Sequence, residues 1–226
     1  MTLPAFKAIG SGSTGNPSWP AGHAAGDFAL LCIEHQLTGS VVTTPSGWSL
    51  VRRNEYPNGT TILSVFSRFA TSGSETAPTI SGPTNHTWSV ISTYSGVNTD
   101  TPIHGACPSW AANNSAGLPG ITTYVDDCLI AQIVAWSAAS VGPLTSGESN
   151  STLGSLTKRF DAGTLAGNGG GLVIYDGTLA THGTFDITSF TCGTATNFAC
   201  LTLALQAADK NLPILQRKSR VINGGM

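Results

Sequence analysis

The string Gly10-Ser11-Gly12-Ser13-Thr14-Gly15 has the glycine spacing of a dinucleotide-binding turn. That chemistry needs a strand before the turn and a helix after it, whose N-terminus holds the pyrophosphate. Asn16-Pro17-Ser18-Trp19-Pro20 follows instead, so the string reads as a loop. Gly167-Asn168-Gly169-Gly170-Gly171 lacks the Lys-Ser/Thr of a phosphate loop and reads as a turn. There is no GxSxG elbow and no HExxH pair. The histidines His23, His35, His86, His104 and His182 are scattered, and each reads as a turn or surface residue. A triad assembled in space from distant residues stays open. Asp126-Asp127 is the one acidic pair. Neighbours on a strand point to opposite faces, so the pair reads as a turn before a strand and not as a shared site. No loop has the ligand spacing of a calcium site, and none of the 12 acidic residues is marked as a glycosidase carboxylate. The expectation is no catalytic residue, no metal and no cofactor.

Cysteines and tryptophans remain. Cys32, Cys107, Cys128, Cys192 and Cys200 fit no zinc pattern, and an odd number argues against a complete disulfide framework. Cys32, Cys128 and Cys200 sit in apolar runs and read as small core residues, while Cys192 and Cys200 can face each other across a hairpin. Trp48, Trp88 and Trp136 lie in strand-like runs and read as core. Trp19 and Trp110 lie in loop-like stretches beside Pro and Ser, with Asn113 close to Trp110. Such aromatics either stack on sugar rings or anchor a protein interface, or they tuck against the domain.

The elements that must position these residues are strands. Charged residues are 10% of the chain, too few to wet long surface helices, and Ser, Thr and Asn take their place. Thr suits the wet side of a pleated sheet. Runs at Phe28–Glu34, Trp48–Arg53, Thr61–Phe69, Trp88–Tyr94, Cys128–Trp136, Gly171–Tyr175, Thr184–Thr188 and Phe198–Gln206 read as strands. Phe28–Glu34 is nearly all apolar, as a strand covered on both faces must be. Residues 10–26 read as a Gly/Ser/Pro-rich loop.

Three strings recur in the same order. Gly26-Asp27-Phe28 resembles Asp126-Asp127-Cys128, Phe69-Ala70-Thr71-Ser72-Gly73 resembles Leu179-Ala180-Thr181-His182-Gly183, and Thr84-Asn85 before one strand resembles Thr196-Asn197 before another. The predicted fold is all-β: a β-sandwich of jelly-roll type over residues 1–207, built from two similar four-strand halves. Residues 208–226 read as an extended C-terminal arm, in which Leu212, Pro213, Ile214, Arg217, Lys218 and Arg220 are expected to dock on a partner.

The net charge of −2 gives no basic field for nucleic acid. No apolar stretch reaches the roughly 20 residues of a membrane span. Met1–Lys7 has no signal-peptide plan, which predicts release by lysis as part of a particle.

One set of strings carries a family resemblance: Ala25-Gly26-Asp27-Phe28-Ala29-Leu30-Leu31, Thr44-Pro45-Ser46-Gly47-Trp48, Val65-Phe66-Ser67-Arg68-Phe69-Ala70 and Tyr94-Ser95-Gly96-Val97. Over Ala21–Gln206 the chain resembles β-sandwich structural proteins of tailed bacteriophage virions, of the capsid decoration (cement) or fibre type. The resemblance implies a non-enzymatic virion subunit, assembled in the host cytoplasm. It would be bound to the major capsid protein lattice or to neighbouring subunits, as a homotrimer. A carbohydrate-binding adhesin or tail-fibre module that contacts a surface glycan is the alternative, and a jelly-roll polysaccharide hydrolase ranks below both. The family brings no catalytic or metal residues.

Overall fold

A computed structural model describes residues 2–37, 39–83, 86–112, 115–194 and 196–208. Asn113 and the arm residues Leu212, Pro213, Ile214, Arg217, Lys218 and Arg220 lie outside the described residues. The chain forms β1 (Ala5–Ile9), β2 (Phe28–His35), β3 (Ser49–Glu55), β4 (Ile62–Phe69) and β5 (Thr87–Ser95). β6 (Ile103–Ala112), β7 (Ser115–Leu118), β8 (Thr122–Thr123), β9 (Cys128–Trp136) and β10 (Thr145–Ser149) follow. β11 (Gly154–Thr164), β12 (Gly170–Leu179), β13 (Gly183–Thr184), β14 (Thr188–Cys192) and β15 (Asn197–Leu205) complete it. No helix occurs among the described residues.

Two five-stranded antiparallel sheets, β1-β5-β2-β4-β3 and β11-β12-β9-β15-β6, pack face to face as a sandwich. Between them lies the main core, with Phe28, Leu30, Cys32, Val65, Val90 and Tyr94 from the first sheet against Leu129, Ile133, Leu172, Ile174, Leu201 and Leu205 from the second. The outer face of each sheet is covered as well. Trp19, Val42 and Trp48 close over Ala29, Leu31, Ile33 and Phe66. A small sheet, β10-β14-β7, closes over Val134, Trp136, Tyr175 and Phe198. Every residue of β2 and of β9 is buried. Covering on both faces is why these strands read as unbroken apolar runs and not as alternating ones.

The two sheets repeat one plan. In each half the strands lie in the order first, last, second, fourth, third of the sheet's own five. β3 bulges against β4 at Val51, between the pairs Leu50–Phe66 and Arg52–Val65. β11 bulges against β12 at Arg159, between Lys158–Tyr175 and Phe160–Ile174. β1 bulges at Lys7 opposite Tyr94 and Thr93, and β6 bulges at His104 opposite Leu205 and Ala204. These markers agree on one register, in which Phe28 matches Leu129, Phe66 matches Tyr175 and Tyr94 matches Leu205. β2 packs over β9, β3 over β6, and β5 over β12, so the halves are related by an approximate two-fold axis through the centre of the sandwich.

This corrects two expectations. Each half has five principal strands and not four. The jelly-roll arrangement is not shown: its sheets would each draw on both halves, whereas here each half keeps a sheet to itself. The expected strand over Thr184–Thr188 is interrupted: Thr184 ends β13, Thr188 begins β14, and residues 185–187 between them form no strand, with Ile187 left exposed.

Candidate functional site

The glycine-spaced loop serves packing. Ser13 pairs with Ser89 of β5, and a Cβ on Gly12 would run into the Trp88 ring. Asp126 and Asp127 form the turn before β9. Asp126 accepts hydrogen bonds from the backbone N–H of His182 and from its ring Nδ1 at 2.6 Å, which hold its carboxyl below the usual carboxylate range. Both side chains stand 58% exposed, and no Ser, Thr or Cys among the described residues is bonded to the imidazole as a nucleophile would be. No three His, Cys, Asp or Glu among the described residues gather as a metal site. All five cysteines are free, and Cys192 and Cys200 share one core cluster without a bond.

Two histidines expected at turns or on the surface are buried. Glu34 lies in β2, facing the second sheet with no exposure, and receives a hydrogen bond from His86 at 2.9 Å. Thr61 also approaches it, at 3.4 Å. Gly170 of β12 presses against the carboxyl group, leaving no room for a side chain there. Desolvation pushes the Glu34 pKa up to about 7, against the lowering effect of His86. The neighbouring His35 faces the other way and bonds Ser64 at 3.1 Å. Burial, with the charges of Arg53 and His86, pushes its pKa down to about 3. One signal marked this pair in the sequence. Glu34 interrupts a run whose other members are apolar on both faces, and a carboxyl group there must be buried and partnered.

The two loop tryptophans part company. Trp19 is 8% exposed, donates through Nε1 to the Thr76 carbonyl at 3.1 Å and packs on Trp48, so it offers no exposed face for stacking. Trp110 lies on the edge strand β6, 56% exposed, with Tyr56 packed edge to face at 5.6 Å. The structure does not bring the two together: Trp19 covers the first sheet and Trp110 belongs to the second.

A third feature had no sequence signal. Arg68 at the end of β4 has its guanidinium carbon 5.4 Å from the Trp19 ring and 5.8 Å from the Trp48 ring. Its Nη2 donates to Glu75 at 2.9 Å, and Glu75 in turn accepts from Thr71 and Ser72. These bonds keep the Glu75 carboxyl below its usual range against the opposing, larger desolvation effect. Stacking and pairing fix the guanidinium in one place. Beside it opens a cleft of about 490 Å³.

No family model, no curated protein and no solved structure matches this chain.

Proposed function

We propose that this chain is a non-enzymatic structural subunit of a tailed-phage particle, a decoration protein seated on the capsid lattice. The observation that carries the reading is where the residues of the family resemblance fall. Gly26-Asp27 leads into β2, Thr44–Trp48 leads into β3, Arg68-Phe69-Ala70 ends β4, and Ser95-Gly96-Val97 leaves β5. All four lie at one end of the first sheet, because Phe28 pairs with both Phe69 and Tyr94 and Ser49 pairs with Ser67. Two of them are tied directly: Gly26 donates to the Ala70 carbonyl, and Ala70 to that of Asp27. The resemblance therefore rests on one built corner. A body whose central strands are buried on both faces, wetted mainly by hydroxyls and amides and carrying little net charge, suits a subunit that sits against a particle surface and its sister subunits. Its partners on this reading are the major capsid protein and sister subunits in a trimer, with no nucleic acid and no membrane.

The experiment is the copy number of the chain in purified particles, by quantitative mass spectrometry against the major shell protein. Hundreds of copies per particle are expected. Absence from particles overturns the reading. A handful of copies moves the chain to the tail, where the second reading, a carbohydrate-binding adhesin, takes over. The polar cleft beside Arg68 favours that second reading.

A further inference from the structure

Two clefts meet at Gly47 and Arg68, where β3 begins and β4 ends. One has about 490 Å³ and is lined with the hydroxyl residues Ser46, Thr76 and Thr79. The other has about 550 Å³ and is mainly apolar, lined with Phe28, Phe69 and Pro102 as well as Ser49, Ser67 and Thr71. Each is in the range of about 300–1,000 Å³ of small-ligand sites. Arg68 stands at the junction. Its Nη2 is taken by Glu75, while Nη1 has no hydrogen-bond partner among the described residues. Nη1 lies beside Gly47, since a Cβ on that glycine would sit 3.5 Å from it. The result is a positioned donor with a spare N–H where a polar cleft and a mainly apolar one meet.

The fold does not require this groove. In the register of the two halves, Arg68 corresponds to Gly177. There the Leu153 side chain fills the space, 3.1 Å from where a Cβ on Gly177 would stand. One copy of the plan closes this corner with an apolar side chain, and the other leaves it open, polar and furnished with a fixed cation.

We propose that the groove across Arg68 binds a neutral oligosaccharide, with Arg68 Nη1 donating to a sugar oxygen. Neutrality follows from Glu75: it already balances the guanidinium, so an acidic sugar would meet a carboxylate with no net positive charge to offset it. Hydroxyls that donate and accept lie in both clefts beside the apolar surface of Trp48, Phe28 and Phe69, a mixture that suits the polar edges and apolar faces of sugar rings. The proposal rests on the adhesive reading above and places the ligand in this groove and not on Trp110.

The test is binding of the whole chain to an array of neutral and acidic glycans, followed by titration calorimetry with the best neutral hit. Ser49→Trp fills the groove from an exposed position, and Arg68→Lys keeps the charge but loses the fork. Binding to neutral glycans is expected to weaken at least tenfold in both variants and to stay unchanged in Trp110→Ala, with the melting temperature of Ser49→Trp held at the parent value. If Trp110→Ala abolishes binding and Ser49→Trp does not, the groove proposal falls and the adhesive reading stands. If only acidic glycans bind, the ligand class is wrong. If no glycan binds the parent chain, both fall.

Discussion

Gly47 and Ser155 both precede the shared bulge of the third strand, at Val51 and Arg159, and each is in the left-handed backbone region, with φ of 79° and 53°. Gly47 lies in the turn before β3, whereas Ser155 lies inside β11 at a further irregularity between Gly154 and Thr157. Glycine adopts this conformation freely, and an L-residue with a side chain pays for it sterically. Gly47 is therefore the fitting residue for its backbone and Ser155 is not.

Ser155→Gly is accordingly expected to stabilise the protein by about 0.5–1 kcal/mol, the steric relief less the extra entropy of an unfolded glycine. The serine is exposed and its hydroxyl makes no hydrogen bond among the described residues. A rise in melting temperature of about 2–4 °C per kcal/mol is the readout. The converse variant is Gly26→Ser, where φ is 87° and a Cβ would meet nothing within 4 Å, so any loss is backbone strain alone. A stability gain in Gly26→Ser would contradict the argument.

The central strands were legible because burial on both faces leaves a plain signature, as in Phe28–His35 and Cys128–Trp136. The edge strands β1, β6 and β11 were not. Their sequences mix Lys, His, Pro, Gly and Thr because one side of each meets solvent or a loop. The recurring strings fell on matching strands but one residue out of step, pairing Phe28 with Cys128 where the structure matches it with Leu129. Turn chemistry repeats visibly in sequence, while the face a residue takes depends on bulges that no composition reveals. Arg68 was legible only as part of a strand. Its two indoles come from loops far back along the chain, at Trp19 and Trp48, and its carboxylate from the loop just after β4, at Glu75.

Glu34 and His35 give the stability a pH dependence with opposed slopes. The Glu34 pKa is raised from 4.5 to about 7, so its favourable contribution is full below pH 4.5 and is lost as pH rises through about 7. The His35 pKa is lowered from 6.5 to about 3, so its contribution is full above pH 6.5 and is lost as pH falls toward 3. Between pH 4.5 and 6.5 the two slopes oppose each other, and the parent protein is expected to be nearly flat there. Glu34→Gln removes one slope, so that variant should lose stability steadily as pH drops from 6.5. Urea unfolding at half-unit pH steps measures this, and a Glu34→Gln curve parallel to the parent would refute the assignment.

His86 is the only titratable side chain hydrogen-bonded to Glu34 among the described residues. His86→Ala removes the bond that lowers the Glu34 pKa, so ionising the buried carboxyl above pH 7 is expected to cost about 1–3 kcal/mol more in the variant than in the parent. The cost should shrink below about pH 5, where Glu34 is protonated in both. Chemical unfolding of this variant at pH 8 and pH 5 tests it. An equal loss at both would mean that His86 acts by filling space.

Arg159 is the bulge residue of the second half, and Val51 holds that position in the first. Arg159 uses the bulge to reach across to the first sheet, with its guanidinium carbon 4.3 Å from the centre of the Phe6 ring. Its Nε donates to both oxygens of Asp176 at 3.0 and 2.8 Å. Asp176 is buried between the sheets, and desolvation raises its pKa against the lowering effect of Arg159. The first half has Ser67 in the matching position, a smaller residue that needs no cation. Arg159→Val should therefore cost about 2 kcal/mol, below the figure for a fully buried pair because Arg159 keeps 30% of its side chain exposed. Adding Asp176→Ser restores the pairing used in the first half and should recover most of that loss. Unfolding free energies of the two single variants and the double variant close the cycle. Additive losses would show that Arg159 and Asp176 do not depend on each other, whereas recovery in the double variant would show that each half has its own workable solution at this corner.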